Sequence, residues 1–187
     1  MSDFPEYNEP ISLLRDCEAI LIPDGTAITL TAGTPVFVTQ ALGGSVTVNV
    51  NGNLARIPAH AVDAIGLEVA ALPEEYATGK ADGTVDEAAL WDQLRTCYDP
   101  EIPINIVELG LVYRCEVQSL DGGGNLVDIE MTLTAPGCGM GPYLVDDVEQ
   151  KLSQVPNVSE VKVELVFDPI WNPEMMSEAA RLQTGLY

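Results

Sequence analysis

The chain has 187 residues, and its 8 Lys plus Arg against 29 Asp plus Glu leave a net charge of −21. That balance excludes a duplex-DNA or RNA binder, which needs clustered Lys and Arg, and it disfavours an anionic membrane surface. No apolar run reaches the roughly 18 residues of a spanning helix, and MSDFPEYNEP shows neither a basic nor an apolar leader region, so the expectation is a soluble, cytoplasmic protein with no membrane partner.

The first half reads as five short strands: Ala19 to Ile22, Thr26 to Leu30, Pro35 to Gln40, Ser45 to Val50 and Asn53 to Ile57. Asn51-Gly52 is the best hairpin signal, because both residues tolerate the positive φ of a type I′ turn. Close spacing of short strands predicts a small, open β-barrel-like or sandwich domain over 1–71. Leu72 to Gly83 is polar and rich in breakers and reads as a linker. Charge does not separate the halves, since 1–83 carry net −8 and 84–187 net −13.

Residues 84–187 open with Thr84-Val85-Asp86-Glu87, a capping-box pattern, before Leu90, Trp91, Leu94 and Cys97 at helical spacing, with Pro100 as the stop. Leu111, Tyr113, Cys115 and Val117 alternate with polar residues and predict a strand. Val127, Ile129, Met131 and Leu133 predict its hairpin partner across Asp121-Gly122-Gly123-Gly124. A helix from Pro142 follows, then a strand through Val161, Val163, Leu165 and Phe167, expected to run parallel, and a helix from about Pro173 to Leu182. The order α-β-β-α-β-α makes this an α+β domain.

Four cysteines, Cys17, Cys97, Cys115 and Cys138, lie far apart with no C-x-x-C pair, which argues against a disulfide framework or a structural zinc site. His60 is the single histidine, so a Ser-His-Asp triad would depend on it alone. Cys97 and Cys115 fall on apolar faces and read as core. Cys138 differs: it sits in Ala135-Pro136-Gly137-Cys138-Gly139-Met140-Gly141, between a strand end and a helix start, where glycines leave the sulfur uncovered and amides favour a thiolate. The helix-end contribution is modest, about 0.3–1 kcal/mol, and acidic neighbours oppose it. Asp99 and Glu101 flank Pro100. They serve either as caps of the next turn or as carboxylates at the rim of a pocket shared with Cys138.

Three stretches together carry a resemblance: Tyr98-Asp99-Pro100-Glu101-Ile102-Pro103, Asn105 through Tyr113, and Met131 through Gly141. With Phe167-Asp168-Pro169-Ile170-Trp171 and Met175-Met176-Ser177 they closely resemble the SufT/PaaD-like family, also called the MIP18 family, over 84–187. The first half looks like the extra domain of its SufT branch. The resemblance implies a MIP18-like α-β-β-α-β-α fold and an auxiliary role in iron–sulfur cluster assembly and protein maturation, without catalytic turnover. By position it points to Cys138 as the functional thiol and to Asp99, Glu101 and Thr134 as pocket residues. A cluster typically needs four thiolates. One Cys138 per chain therefore implies a transient iron or iron–sulfur cluster, not one stably held, with ligands shared by a second subunit in a homodimer or by a client. Assembly machinery and apo-proteins are the implied partners. Two other readings remain open at this level: a cysteine-dependent hydrolase, for which a general base is hard to find, and a structural adaptor in which Cys138 is inert.

Overall fold

The computed structural model describes residues 9–185; 1–8, on which most of the leader reading rests, and 186–187 lie outside the described residues. The chain divides into two compact units, 1–70 and 71–187.

In the first unit β1 (Ile11–Ser12), β2 (Cys17–Ile22), β3 (Ala27–Leu30), β4 (Pro35–Leu42), β5 (Ser45–Val50) and β6 (Asn53–Ile57) form one sheet in the order β1-β4-β5-β6-β2-β3. Every pairing is antiparallel. The sheet is open: β1 and β3 end it without pairing to each other. Asn51 and Gly52 have φ of 52° and 86°, as the hairpin signal requires, and Val50 faces Asn53 across the turn. Alternate residues Val36, Val38, Val46, Val48, Ala55 and Ile57 are buried, and a 3-10 turn at Ala59–Ile65 adds Val62 and Ile65 to the same core.

In the second unit the stretch read as a linker carries a short helix, α1 (Glu74–Ala77), and its Leu72 and Tyr76 pack on the core. The Tyr76 hydroxyl donates to Asp92 at 2.6 Å, and this bond pushes the phenol up to about 12. Breaker-rich composition marks where regular structure is short, not where packing ends. Helix α2 (Glu87–Leu94) is capped by Asp86, whose carboxylate accepts from the Ala88 amide. Thr84 is not the cap, because its amide and hydroxyl are bound to Asp82. The helix also stops at Leu94, short of Cys97 and Pro100.

Strands β7 (Val112–Ser119), β8 (Asn125–Met131) and β9 (Val158–Leu165) form a sheet in that order, with β7 antiparallel and β9 parallel to β8. Its inner face sets Cys115 beside Ile129 and Val117 beside Val127, with Val161 and Val163 on the other flank. Helix α3 (Gly141–Ser153) covers that face with Leu144, Val148 and Leu152, all 0% exposed. Its buried Lys151 donates to the Thr96 carbonyl at 2.7 Å and to Asp147 at 3.0 Å, which ties α3 to the residues after α2. Phe167, expected as the last residue of this strand, lies beyond the end of β9 and is 40% exposed. The expected last helix is broken into a 3-10 turn at Pro173–Met175 and α4 (Glu178–Thr184), because Met176 leaves helical geometry and Ser177 starts a new cap. Among the described residues no helix is long and apolar enough to cross a membrane.

Burial pushes the Cys115 thiol up to about 11. A raised pKa keeps the thiol protonated below it, so near pH 8 only about one thiolate in a thousand exists at this position. Alkylation of Cys115 in the folded protein is expected to be slow at pH 8 and to rise about tenfold per pH unit towards 11. Peptide mapping after timed iodoacetamide treatment reads this directly. Labelling at pH 8 as fast as in urea would refute it.

Candidate functional site

The C-terminal end of β8 leads into the segment that carries Thr134 and Cys138. Past Met131 the chain continues through Thr132, whose amide donates to the Leu111 carbonyl at 2.8 Å, and Leu133, 5% exposed, to Thr134. Residues 135–138 then make a turn closed by the Cys138 amide on the Ala135 carbonyl at 3.3 Å. The Cys138 carbonyl accepts from Gly141 at 3.1 Å, at the first residue of α3. The turn depends on Gly137, whose φ is 79° and around which a Cβ would meet nothing within 4 Å. Gly141 has a different reason: a Cβ there would lie 2.9 Å from Leu133 Cδ1 and 3.5 Å from Leu165 Cδ1. Cys138 itself is half-buried and leans on the core, while Gly137 and Gly139 beside it are exposed.

Asp99 is 6% exposed. Its Oδ1 accepts the amides of Glu101 and Ile102, each at 2.9 Å, and its Oδ2 receives the Thr134 hydroxyl at 3.4 Å. The structure thus joins Asp99 to the loop that carries Cys138, through Thr134. The capping reading of Asp99 describes these bonds; the Glu101 side chain is exposed and its amide belongs to that cap. His60, with Cys17, lines a cleft of the first unit. Among the described residues no three His, Cys, Asp or Glu side chains are grouped to hold a metal ion.

Asp99→Ala is expected to cost about 1–2 kcal/mol, the value of a lost cap over two half-buried amides. Asp99→Asn keeps an oxygen for both amides and should cost well under half of that. Urea unfolding of the two variants checks the ranking, and equal losses would show that charge, not capping geometry, sets the role of Asp99 in stability.

Sequence reading missed the supports of this end of the sheet. The Tyr113 hydroxyl donates to the Pro169 carbonyl at 2.8 Å, the Trp171 indole to the Leu109 carbonyl at 2.7 Å, and the Ser177 amide to the Glu108 carbonyl at 2.8 Å. The residues stood in the matched stretches, but pairings 56 and 62 positions apart leave no local pattern.

Residues 87–165 match the family model described as "Iron-sulfur cluster assembly protein". Over 92 residues the chain is 47% identical to a Porphyromonas gingivalis protein named "Fe-S protein maturation auxiliary factor", covering 84% of that protein and 49% of this chain. The chain belongs to the iron–sulfur cluster assembly family. A second member, "Fe-S protein maturation auxiliary factor SufT" of Staphylococcus aureus, is 41% identical over 88 residues, which are 96% of it and 47% of this chain. A third, "Fe-S protein maturation auxiliary factor YitW" of Bacillus subtilis, is 39% identical over 93 residues, 87% of it and 50% of this chain. These family members are each matched nearly whole by about half of this chain. The other half is an addition to what they hold.

Proposed function

We propose that this chain is an auxiliary factor in the maturation of iron–sulfur proteins, and that the Cys138 sulfur is its point of attachment for a transient iron or cluster on the way to an apo-protein. The observation that carries the reading is the setting of Cys138: it is the one described cysteine on a loop with exposed flanks, at the start of α3, in a chain related to maturation factors. Cys17 and Cys97 are buried, and Cys115 is held protonated. Thr134 and Asp99 support the loop, and Glu101, whose amide Asp99 holds, carries an exposed carboxylate on the 99–102 turn. A thiolate is the natural protein ligand for iron in such a cluster. One thiolate does not complete a cluster, so the remaining ligands come from a second copy of the chain, from the client or from assembly machinery. That makes the cargo exchangeable, as a delivery role requires.

The residues divide by task in this reading. Cys138 holds the cargo, Asp99 fixes the 99–102 turn, and Thr134 links that turn to the cysteine loop. Residues 1–71 form an added module and 84–187 the cargo-handling domain of MIP18-like α-β-β-α-β-α design, with 72–83 leading into it. Anaerobic reconstitution of the purified chain with iron and sulfide tests the reading. Iron and sulfide bound by the wild type and lost in Cys138→Ser is the expected result; equal content in both would overturn it.

A further inference from the structure

Three connections meet at the end of the second unit's sheet where β8 and β9 finish and β7 begins. They are 98–111, 132–140 and 166–177. Met131 and Leu165 are register partners, and the Val166 amide donates to the Met131 carbonyl at 2.8 Å, so the Cys138 loop and the 166–172 loop leave adjacent strand ends.

The 166–172 loop is firmly held yet shows apolar side chains to solvent. Tyr113 and Trp171 pin it at two points, at 2.8 and 2.7 Å, while Ile170 is 66% and Phe167 40% exposed. A loop kept rigid with large apolar groups outward gains nothing for its own stability from their exposure, and rigid apolar anchors are what interfaces use. The charge around them has one sign. Residues 98–111, 132–140 and 166–177 carry Asp99, Glu101, Glu108, Asp168 and Glu174 and no Lys, Arg or His, while Arg95, next after α2, is paired with Asp92 at 3.1 Å. With no cargo to bridge them, two copies that each carry a charge of −21 repel each other at this face.

We infer that Phe167 and Ile170 form a docking face for a protein partner that presents a basic segment with apolar side chains, set beside the loop that carries Cys138. The proposal rests on the maturation reading for its purpose, since a docked partner would lie at the strand ends from which Cys138 is presented. It does not rest on it for its physics. The apolar groups supply the anchor, and the carboxylates select a cationic partner and speed its approach.

The test is fluorescence anisotropy of the full, metal-free chain with three synthetic peptides of equal length: Lys alternating with Leu, Lys alternating with Ser, and Glu alternating with Leu. The Lys–Leu peptide is expected to bind, more weakly as salt rises, and the other two to bind poorly. Ile170→Asp and Ile170→Ser should each weaken it by about tenfold, while Leu54→Asp, at an exposed apolar site of the first unit, should not. Equal binding by the Lys–Ser peptide, or equal loss in Leu54→Asp, would overturn the proposal. So would a dimer of the chain that Ile170→Asp dissolves, because a second copy would then be the occupant. Cys138→Ser should bind the peptide as the wild type does. A chain that binds the peptide but takes up no iron would therefore defeat the maturation reading alone, and a chain that loads iron but shows no Ile170 dependence would defeat the docking face alone.

Discussion

Cys138→Ser is expected to lose iron and sulfide uptake by more than about tenfold, while Cys97→Ser and Cys115→Ser keep it. The expectation follows from elimination among four thiols. Cys97 is 1% exposed, with its sulfur 3.7 Å from the Gln93 carbonyl. Cys17 is 4% exposed, and burial pushes its thiol up. Cys115 is held near 11 for the same reason. Only a thiolate binds iron well, and a serine hydroxyl stays protonated at neutral pH. The variant should fold: a half-buried loop position exchanging sulfur for oxygen costs about 1 kcal/mol or less. Iron and sulfide assays on anaerobically reconstituted protein, with thermal melts as the folding control, settle the matter. Because one chain offers one such thiolate, the loaded wild type should also either run as a dimer on a sizing column or require an added small thiol. A loaded monomer with no added thiol would contradict the sharing of ligands.

Legibility followed the range of the interactions. The strands of the second unit were readable because Val127, Ile129 and Met131 alternate with Asp128 and Glu130, and each residue's own neighbours report its face. The Asn51-Gly52 turn was readable because φ preference is a property of the residue. Strand β1 was not, since two residues leave no alternation to read. The cap of α2 went to Asp86 because Asp82, outside the pattern considered, already occupied Thr84. At the site, the cysteine loop stood out through its glycines, and Asp99 and Glu101 through their rigid setting. What the sequence could not show was the bond from Thr134 to Asp99 across 35 positions, or that Ile170 stands exposed on a loop pinned by Tyr113 and Trp171.

Gly110→Ala is expected to cost about 4 kcal/mol, whereas Gly137→Ala, at nearly the same φ, should cost only about 1. Both glycines have positive φ, 71° and 79°, so the strain on an L-residue is shared and small. Surroundings decide the difference. At Gly137 a Cβ meets nothing within 4 Å; at Gly110 it would overlap the Met175 carbonyl oxygen and lie 2.8 Å from the Met175 carbonyl carbon. That obstacle is backbone and has no rotamer through which to yield. It is also held from both sides, by Trp171 on Leu109 and by the Ser177 amide on Glu108, with Met176 buried at 3% between them. Accommodation therefore means lifting the 171–177 segment. This forfeits the burial of Met176, about 2 kcal/mol, and at least one of those hydrogen bonds, about 1 kcal/mol, on top of the strain. Against the 5–15 kcal/mol that a domain commonly has, the loss is large enough to read as a clear shift in urea midpoint. Lifting the segment also releases the loop that displays Phe167 and Ile170, so peptide binding should fall in Gly110→Ala and persist in Gly137→Ala. Equal unfolding midpoints for the two variants would show that the C-terminal segment gives way at no cost, and the rigid loop on which the docking face depends would go with it.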